Sequence, residues 1–381
     1  MALKSQRLRH LVCVLAGVGA GLSASPSHAE TRGYIVSWFA TATNVVDFKA
    51  NCPLDKNGGQ VNLNVRQLMG IGYTKEEALQ IVQDSGAQLT PEFTKRINVN
   101  AKLNDRPVPI FNYPEATEDP QIEMVTGKFA YGFDLSSKTA QKFEDPDTHQ
   151  MIDNQLWRAV GCLDSFRAVP PGKPYPEELS WNLMIDSAPG WSLRLVGDDL
   201  SKDGKVTVIL DRLTQHLQRD ATGNVLSNAT YIMESSKRSH NEFQAEIKNG
   251  MLTITPKDLY LEAEHPFYFD IALKNAHMRM QVTPEKIVGY WGGYLKWQDF
   301  AYMYTSRPAN GADSIGMYHA LKKMADADPD PKTGQNRLIS GTYRMEAIPA
   351  FLADDSGKIV AVPGGGEEST VAANTGIKVA N

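Results

Sequence analysis

The sequence predicts a mainly β protein with some α+β character. Its main domain is an antiparallel β-sandwich of jelly-roll type, with a smaller irregular N-terminal region before it and a helix at its C-terminal end. Two observations lead to this fold. Nine short runs rich in Val, Ile, Leu, Tyr and Phe (192–196, 205–210, 229–233, 243–247, 252–255, 259–262, 267–273, 277–282 and 287–295) follow one another closely. Turn signals such as Asp203-Gly204, Thr222-Gly223-Asn224 and Asn249-Gly250 separate them, which is the spacing of sandwiches and barrels. In runs such as 206–210 and 267–271 the two faces differ only partly in polarity, so several strands are expected to be buried on both sides.

The elements follow in order. Tyr34 to Phe39 reads as a first strand, β-branched and aromatic without a breaker. Residues 49–59 read as loop. Thr74 with Glu77 three residues on forms a capping-box pattern and starts a short helix. Prolines 91, 107, 109, 114, 120 and 146 leave mostly loop between residues 89 and 172, except for a short helix over 154–162. Pro170, Pro171, Pro174 and Pro176 lie so close together that neither a helix nor a central strand survives there. The division is therefore 1–29, 30–172 (loop-rich, mixed α/β), 173–352 (the sandwich with its terminal helix) and 353–381. Within 314–325, Met317, Leu321 and Met324 form one helical stripe that should pack on the sheets. The last segment holds Gly364-Gly365-Gly366 and few large apolar residues, and reads as a flexible tail.

Residues 1–29 carry the pattern of a cleavable signal peptide: Lys4, Arg7 and Arg9, then an apolar run over 11–22, then small residues ending at Ala29. The apolar run falls short of the roughly 20 residues that span a bilayer. The chain is therefore expected to be soluble and periplasmic or secreted, with no membrane span. Removal of 1–29 takes three of the 39 Lys+Arg and none of the 44 Asp+Glu, moving the net charge from −5 to −8. An acidic surface argues against nucleic acid and against an anionic lipid face, and leaves neutral ligands and cations.

Cysteines 52 and 162 remain after cleavage, an even pair that an oxidising compartment would join as a disulfide. The chain lacks a G-x-S-x-G elbow, an H-E-x-x-H helix, a C-x-x-C pair and a phosphate-binding glycine loop. No cofactor is required by any motif. Asp326, Asp328 and Asp330 alternate just past the helix and suggest a Ca2+ loop, although Pro331 and Arg337 depart from the helix-loop-helix pattern; solvated turns are the plainer explanation. The acidic loop 198–204 invites the same argument more weakly. His265 with His277, and Glu262 with Glu264, flank or share predicted strands and are the remaining acid/base candidates.

The densest feature is residues 290–304, where Tyr290, Trp291, Tyr294 and Trp297 lie around a glycine pair, with Asp299 following. These would line a groove for sugar rings or another flat ligand. The competing reading is that they fill the core. The sequence thus favours an exported binding protein for a neutral or carbohydrate-like ligand. A secreted polysaccharide or polymer hydrolase or lyase with dispersed carboxylates is the alternative, and a structural partner in an envelope complex the third.

Overall fold

In the computed structural model, residues 29–42, 48–53, 65, 68, 69, 72–84, 101–108, 112–139, 141–163, 166, 176–263, 270–305 and 313–364 are described. Residues 1–28, which hold all but the last position of the expected signal peptide 1–29, and residues 365–381 lie outside them.

Alternation of apolar and polar residues builds the wall of the main domain. The strand Asn241–Lys248 is the clearest case: Phe243, Ala245 and Ile247 are buried, while Glu242, Gln244, Glu246 and Lys248 face outward. Eight such strands run in chain order: β1 (Glu30–Thr41), β2 (Trp191–Gly197), β3 (Gly204–Arg212), β4 (Asn241–Lys248), β5 (Met251–Ile254), β6 (Ile271–Val282), β7 (Ile287–Lys296) and β8 (Asn336–Pro349). Each is antiparallel to the next, and β8 returns to β1, with Phe39 opposite Met345 and Tyr34 opposite Leu193 of β2. The sheet is a closed eight-stranded barrel, not the expected sandwich. The reason is β1, which bonds to strands at both ends of the meander and joins its two edges.

Eight strands enclose a space just wide enough for side chains. Here Phe39 stacks on Tyr343 (5.0 Å between ring centres) and meets Trp191 edge-on at 5.6 Å, while Phe243 meets Trp291 at 5.3 Å. Met278, Met280, Ile287 and Met345 fill in around them. Helix α3 (Pro176–Ser187) packs near Trp191: Trp181 lies 6.0 Å from Trp191 and 6.3 Å from Trp38, and its indole N–H donates to Ser37 O at 2.8 Å. Ser37 is the residue that the β1–β8 register skips, so the bulge frees the carbonyl that Trp181 uses.

Other elements decorate the barrel. Helix α1 (Lys75–Asp84) starts with the expected reciprocal cap, Thr74 N to Glu77 Oε2 at 2.8 Å and Glu77 N to Thr74 Oγ1 at 3.2 Å. Helix α2 (Gln155–Val160) is capped by Asn154, whose Oδ1 accepts from Trp157 N at 3.0 Å. Helices α4 (Trp297–Thr305) and α5 (Asp313–Met324) follow β7. Helix α5 buries Met317 and Leu321, but it is not terminal: the 14 residues of β8 come after it. In the part of the expected tail that is described, Ile359–Pro363 runs parallel to β1 with Val362 opposite Arg32. Because β1 pairs only with strands from beyond the proline-rich run, the boundary at 172/173 does not divide the sheet. No helix among the described residues is long and apolar enough to cross a membrane.

The outer faces of β6, β7 and β8 are covered by a strap, residues 129–153, and by α2. Tyr131 stacks on Tyr290 at 4.7 Å. A Cβ on Gly292 would come 2.4 Å from the Phe133 ring, so only glycine fits that position. Cys52 and Cys162 form the expected disulfide, their Cα atoms 5.7 Å apart, in a small apolar cluster with Phe143, Ile152 and Trp157. Asp145, fully buried in the strap, receives Arg279 from β6 at 2.9 Å. Burial alone would raise the Asp145 carboxyl, but Arg279 and the N–H groups of Thr148 and Gly132 outweigh it and hold the group below the usual carboxylate range.

Two outcomes follow. Replacement of both cysteines by alanine should lower the unfolding free energy by about 4 kcal/mol, through a closed loop spanning 110 positions, as read by urea titration. Arg279→Met leaves a buried carboxylate unpaired and should cost about 3 kcal/mol at pH 7. A depressed carboxylate contributes stability above its unfolded-state pKa, lost as pH falls through the folded value. The acid-unfolding midpoint of the variant should therefore lie at higher pH than that of the parent.

Candidate functional site

Period 2 splits the aromatic segment between two faces. Trp291 points into the barrel and is fully buried, and Trp297 is 2% exposed. The indole N–H of Trp297 donates to Asn336 O at 2.9 Å, and its ring meets Tyr318 at 5.3 Å. Tyr290 and Tyr294 point outward but lie half-buried under the strap, with the Tyr294 hydroxyl donating to Leu135 O at 3.1 Å. Burial pushes both phenols well above their ordinary range. Asp299 is exposed, 4.0 Å from Lys296. The five residues do not share a surface, and the core reading accounts for both tryptophans.

The three aspartates of the supposed Ca2+ loop also part company. Asp326 is half-buried and accepts from Ser340 N and Oγ, both at 2.8 Å. Asp328 pairs with Arg337 at 2.7 Å, and Asp330 caps its own turn by accepting from Lys332 N and Thr333 N. A regular strand would set alternate residues on one face, but Asp328 stands at φ 57° inside the short segment 327–329 that pairs with β8, and the alternation is broken there. Among the described residues no group of three or more His, Cys, Asp or Glu is placed to hold a metal ion. In the loop 198–204, Asp199 is engaged by Lys202 and Ser201, and Asp203 by Asn249 N. His265 and Glu264 lie outside the described residues. His277 lies under the strap, 5.7 Å from the Phe133 ring. Glu262 accepts from Ser239 Oγ at 2.8 Å and pairs with Arg238 at 3.2 Å.

The arrangement with the most chemical content lies on the opposite wall, where among the described residues no strap like 129–153 covers β2, β3 and β4. Ser192 pairs with Asp211, so Arg194, two residues on, stands diagonal to Asp211 on the outer face. Leu210 pairs with Asn241, so His240 comes opposite Asp211. Strand register thus assembles three side chains from three segments. Asp211, 6% exposed, accepts from Arg194 at 2.6 Å through Oδ2 and engages His240 Nδ1 at 2.6 Å through Oδ1. A carboxylate at that distance holds the Nδ1 edge of the ring by accepting its N–H and turns the Nε2 edge away from Asp211. Nε2 is 3.8 Å from Glu242 Oε2, and the His240 side chain is 42% exposed.

Two clefts meet at this imidazole. One, of about 220 Å3, is bounded by Arg194, Glu234, Ser235, Ser236 and Asp354. The other, of about 510 Å3, is bounded by Glu242, Gln244 and Lys257. His240 carries no local signal in the sequence, because its partner lies 29 positions away and only register reveals the pair. No known family, curated protein or solved structure matches the chain.

Asp326, away from His240 and beside Ser340 of β8, has a pH signature of its own. Burial raises its carboxyl against the hydrogen bonds from Ser340, and the neighbouring charge of Asp153 adds to the rise. A raised carboxyl holds its proton more tightly in the folded state, so its favourable contribution is present at low pH and is lost as pH rises through the folded value. Asp326→Asn should therefore raise the melting temperature at pH 7 and flatten its decline with rising pH, as measured by calorimetry between pH 4 and 8.

Proposed function

We propose that the protein is an exported binding protein for a small, neutral, carbohydrate-like ligand, held at the barrel wall around His240 and not on the aromatic segment. The observation that carries this reading is the exposed imidazole, oriented by the buried Asp211 and open to two clefts. Its Nε2 and the Glu242 carboxylate accept hydrogen bonds, while Arg194, Lys237 and the Ser235 and Ser236 hydroxyls donate them, which suits a ligand dense in hydroxyl groups. The lining offers no aromatic face, so recognition rests on hydrogen bonds and not on ring stacking. Titration with a panel of neutral oligosaccharides should shift the His240 ring signals in NMR spectra. His240→Ala should weaken binding about tenfold, equivalent to ~1.4 kcal/mol. A panel that leaves those signals unmoved overturns the reading.

The same Asp211–His240 pair favours a second reading, hydrolysis of a polymer, since a histidine held by a carboxylate is a competent general base once a substrate is bound. Release of reducing ends by the parent protein, lost in Asp211→Asn, would select this reading over simple binding.

A further inference from the structure

A third cleft, of about 530 Å3, lies away from His240, between residues 121–126, α2 and the end of α5. It falls within the range of small-molecule pockets, roughly 300–1,000 Å3. Its floor includes Arg158 of α2, which is 9% exposed. The guanidinium lies 3.9 Å from the centre of the Phe143 ring and donates to Val125 O at 2.9 Å and to Gln141 O at 3.3 Å. Its Nε–H has no partner, and no carboxylate pairs with it among the described residues. Carbonyl dipoles hold the group in position but do not neutralise it. A buried cation without a counterion is costly, and arginine does not escape by losing its proton.

The rest of the lining is of two kinds. Lys323, exposed in the last turn of α5, adds a second positive charge at the mouth. Ile122, Met124, Val125 and Met324 supply an apolar wall. Glu123, 6% exposed, also borders the cleft and engages a partner of its own. Two cations against one acid, beside an apolar wall, match a ligand with a carboxylate at one end and a short hydrocarbon body at the other. We infer that this cleft, built by Arg158, Lys323 and the wall around Met124 and Met324, binds a small organic carboxylate.

Hexanoate is the probe, with hexanol as its uncharged counterpart and chloride at matched ionic strength as the control. Hexanoate should bind saturably to the full-length protein and move the Arg158 Nε–H signal in 15N spectra; hexanol and chloride should not. Lys323→Gln changes an exposed side chain that folding does not require, and should weaken hexanoate binding about fivefold. Arg158→Gln should abolish it. If Arg158→Gln fails to fold, through loss of the bonds to Val125 and Gln141, Lys323→Gln and the Arg158 signal decide. Equal binding of hexanol and hexanoate, or unchanged affinity in Lys323→Gln, overturns the inference. Because His240 lies outside this cleft, His240→Ala should leave hexanoate binding intact, so failure here and failure of the sugar-binding reading are distinguishable.

Discussion

Everything in this structure depends on the position of β1. It is the first strand in the chain, yet it hydrogen-bonds to β2 on one side and to β8, some 300 positions later, on the other. Without it the meander would be an open sheet with two long unpaired edges, each a template for association with another chain. With it the edges vanish, and the inner faces of eight strands become a single packed core. Closure carries a kinetic consequence. The pairing of first and last strands must overcome the loop-closure entropy of nearly the whole chain, which places it among slow-folding topologies. The bulge at Ser37 links closure to helix α3: the carbonyl it frees from the ladder is the one that the Trp181 indole binds.

The wall of the barrel is not uniform, and the difference decides where chemistry is available. On β6, β7 and β8 the strap and α2 bury what would otherwise be an exposed face, so Tyr290 and Tyr294 become packing residues. On β2, β3 and β4 the outer face stays open, and β4 keeps strict alternation of buried and exposed residues. Asp211 and His240 stand on this uncovered side. The aromatic segment that looked most functional therefore serves cohesion, while an inconspicuous histidine on the bare wall meets two clefts.

How much of this was legible follows from which interactions are local. The Thr74–Glu77 cap and the stripe of Met317 and Leu321 are set by residues a few positions apart, and each is found as read; the alternation in β3 and β4 is sharper than the partial difference between faces expected from the sequence. The pairing of Cys52 with Cys162 was also legible, because only two cysteines survive the expected cleavage. Closure was not. In β8, Gly341 interrupts the apolar alternation of Ile339, Tyr343, Met345 and Ala347, and the polar Ser340 and Thr342 stand on either side of it; a Cβ on Gly341 would meet Leu295 at 2.7 Å and Leu156 of α2 at 3.0 Å. The tail was misread for a related reason: Ile359–Pro363 is short and half-exposed, and its order comes from β1, more than 300 residues away. Asp211 with His240, and Asp326 apart from Asp328, are consequences of register, which composition does not carry.

Burial of charge then separates the remaining polar groups by what each is able to do about it. Asp145 is answered by Arg279, and Asp153, fully buried, lies 3.5 Å from Lys142. Asp326 has no cation among its described partners, but a carboxyl has a relief open to it in the proton, and burial shifts its pKa upward in that direction. Arg158 lacks a counterion as well and has no such relief, since guanidinium stays charged at any pH the fold survives. The two groups present the same electrostatic problem with different chemistry. An acid has its relief within the protein, whereas Arg158 has, among the described residues, only carbonyl oxygens and the Phe143 ring around it, and the cleft beside it is the one place from which a counterion could come.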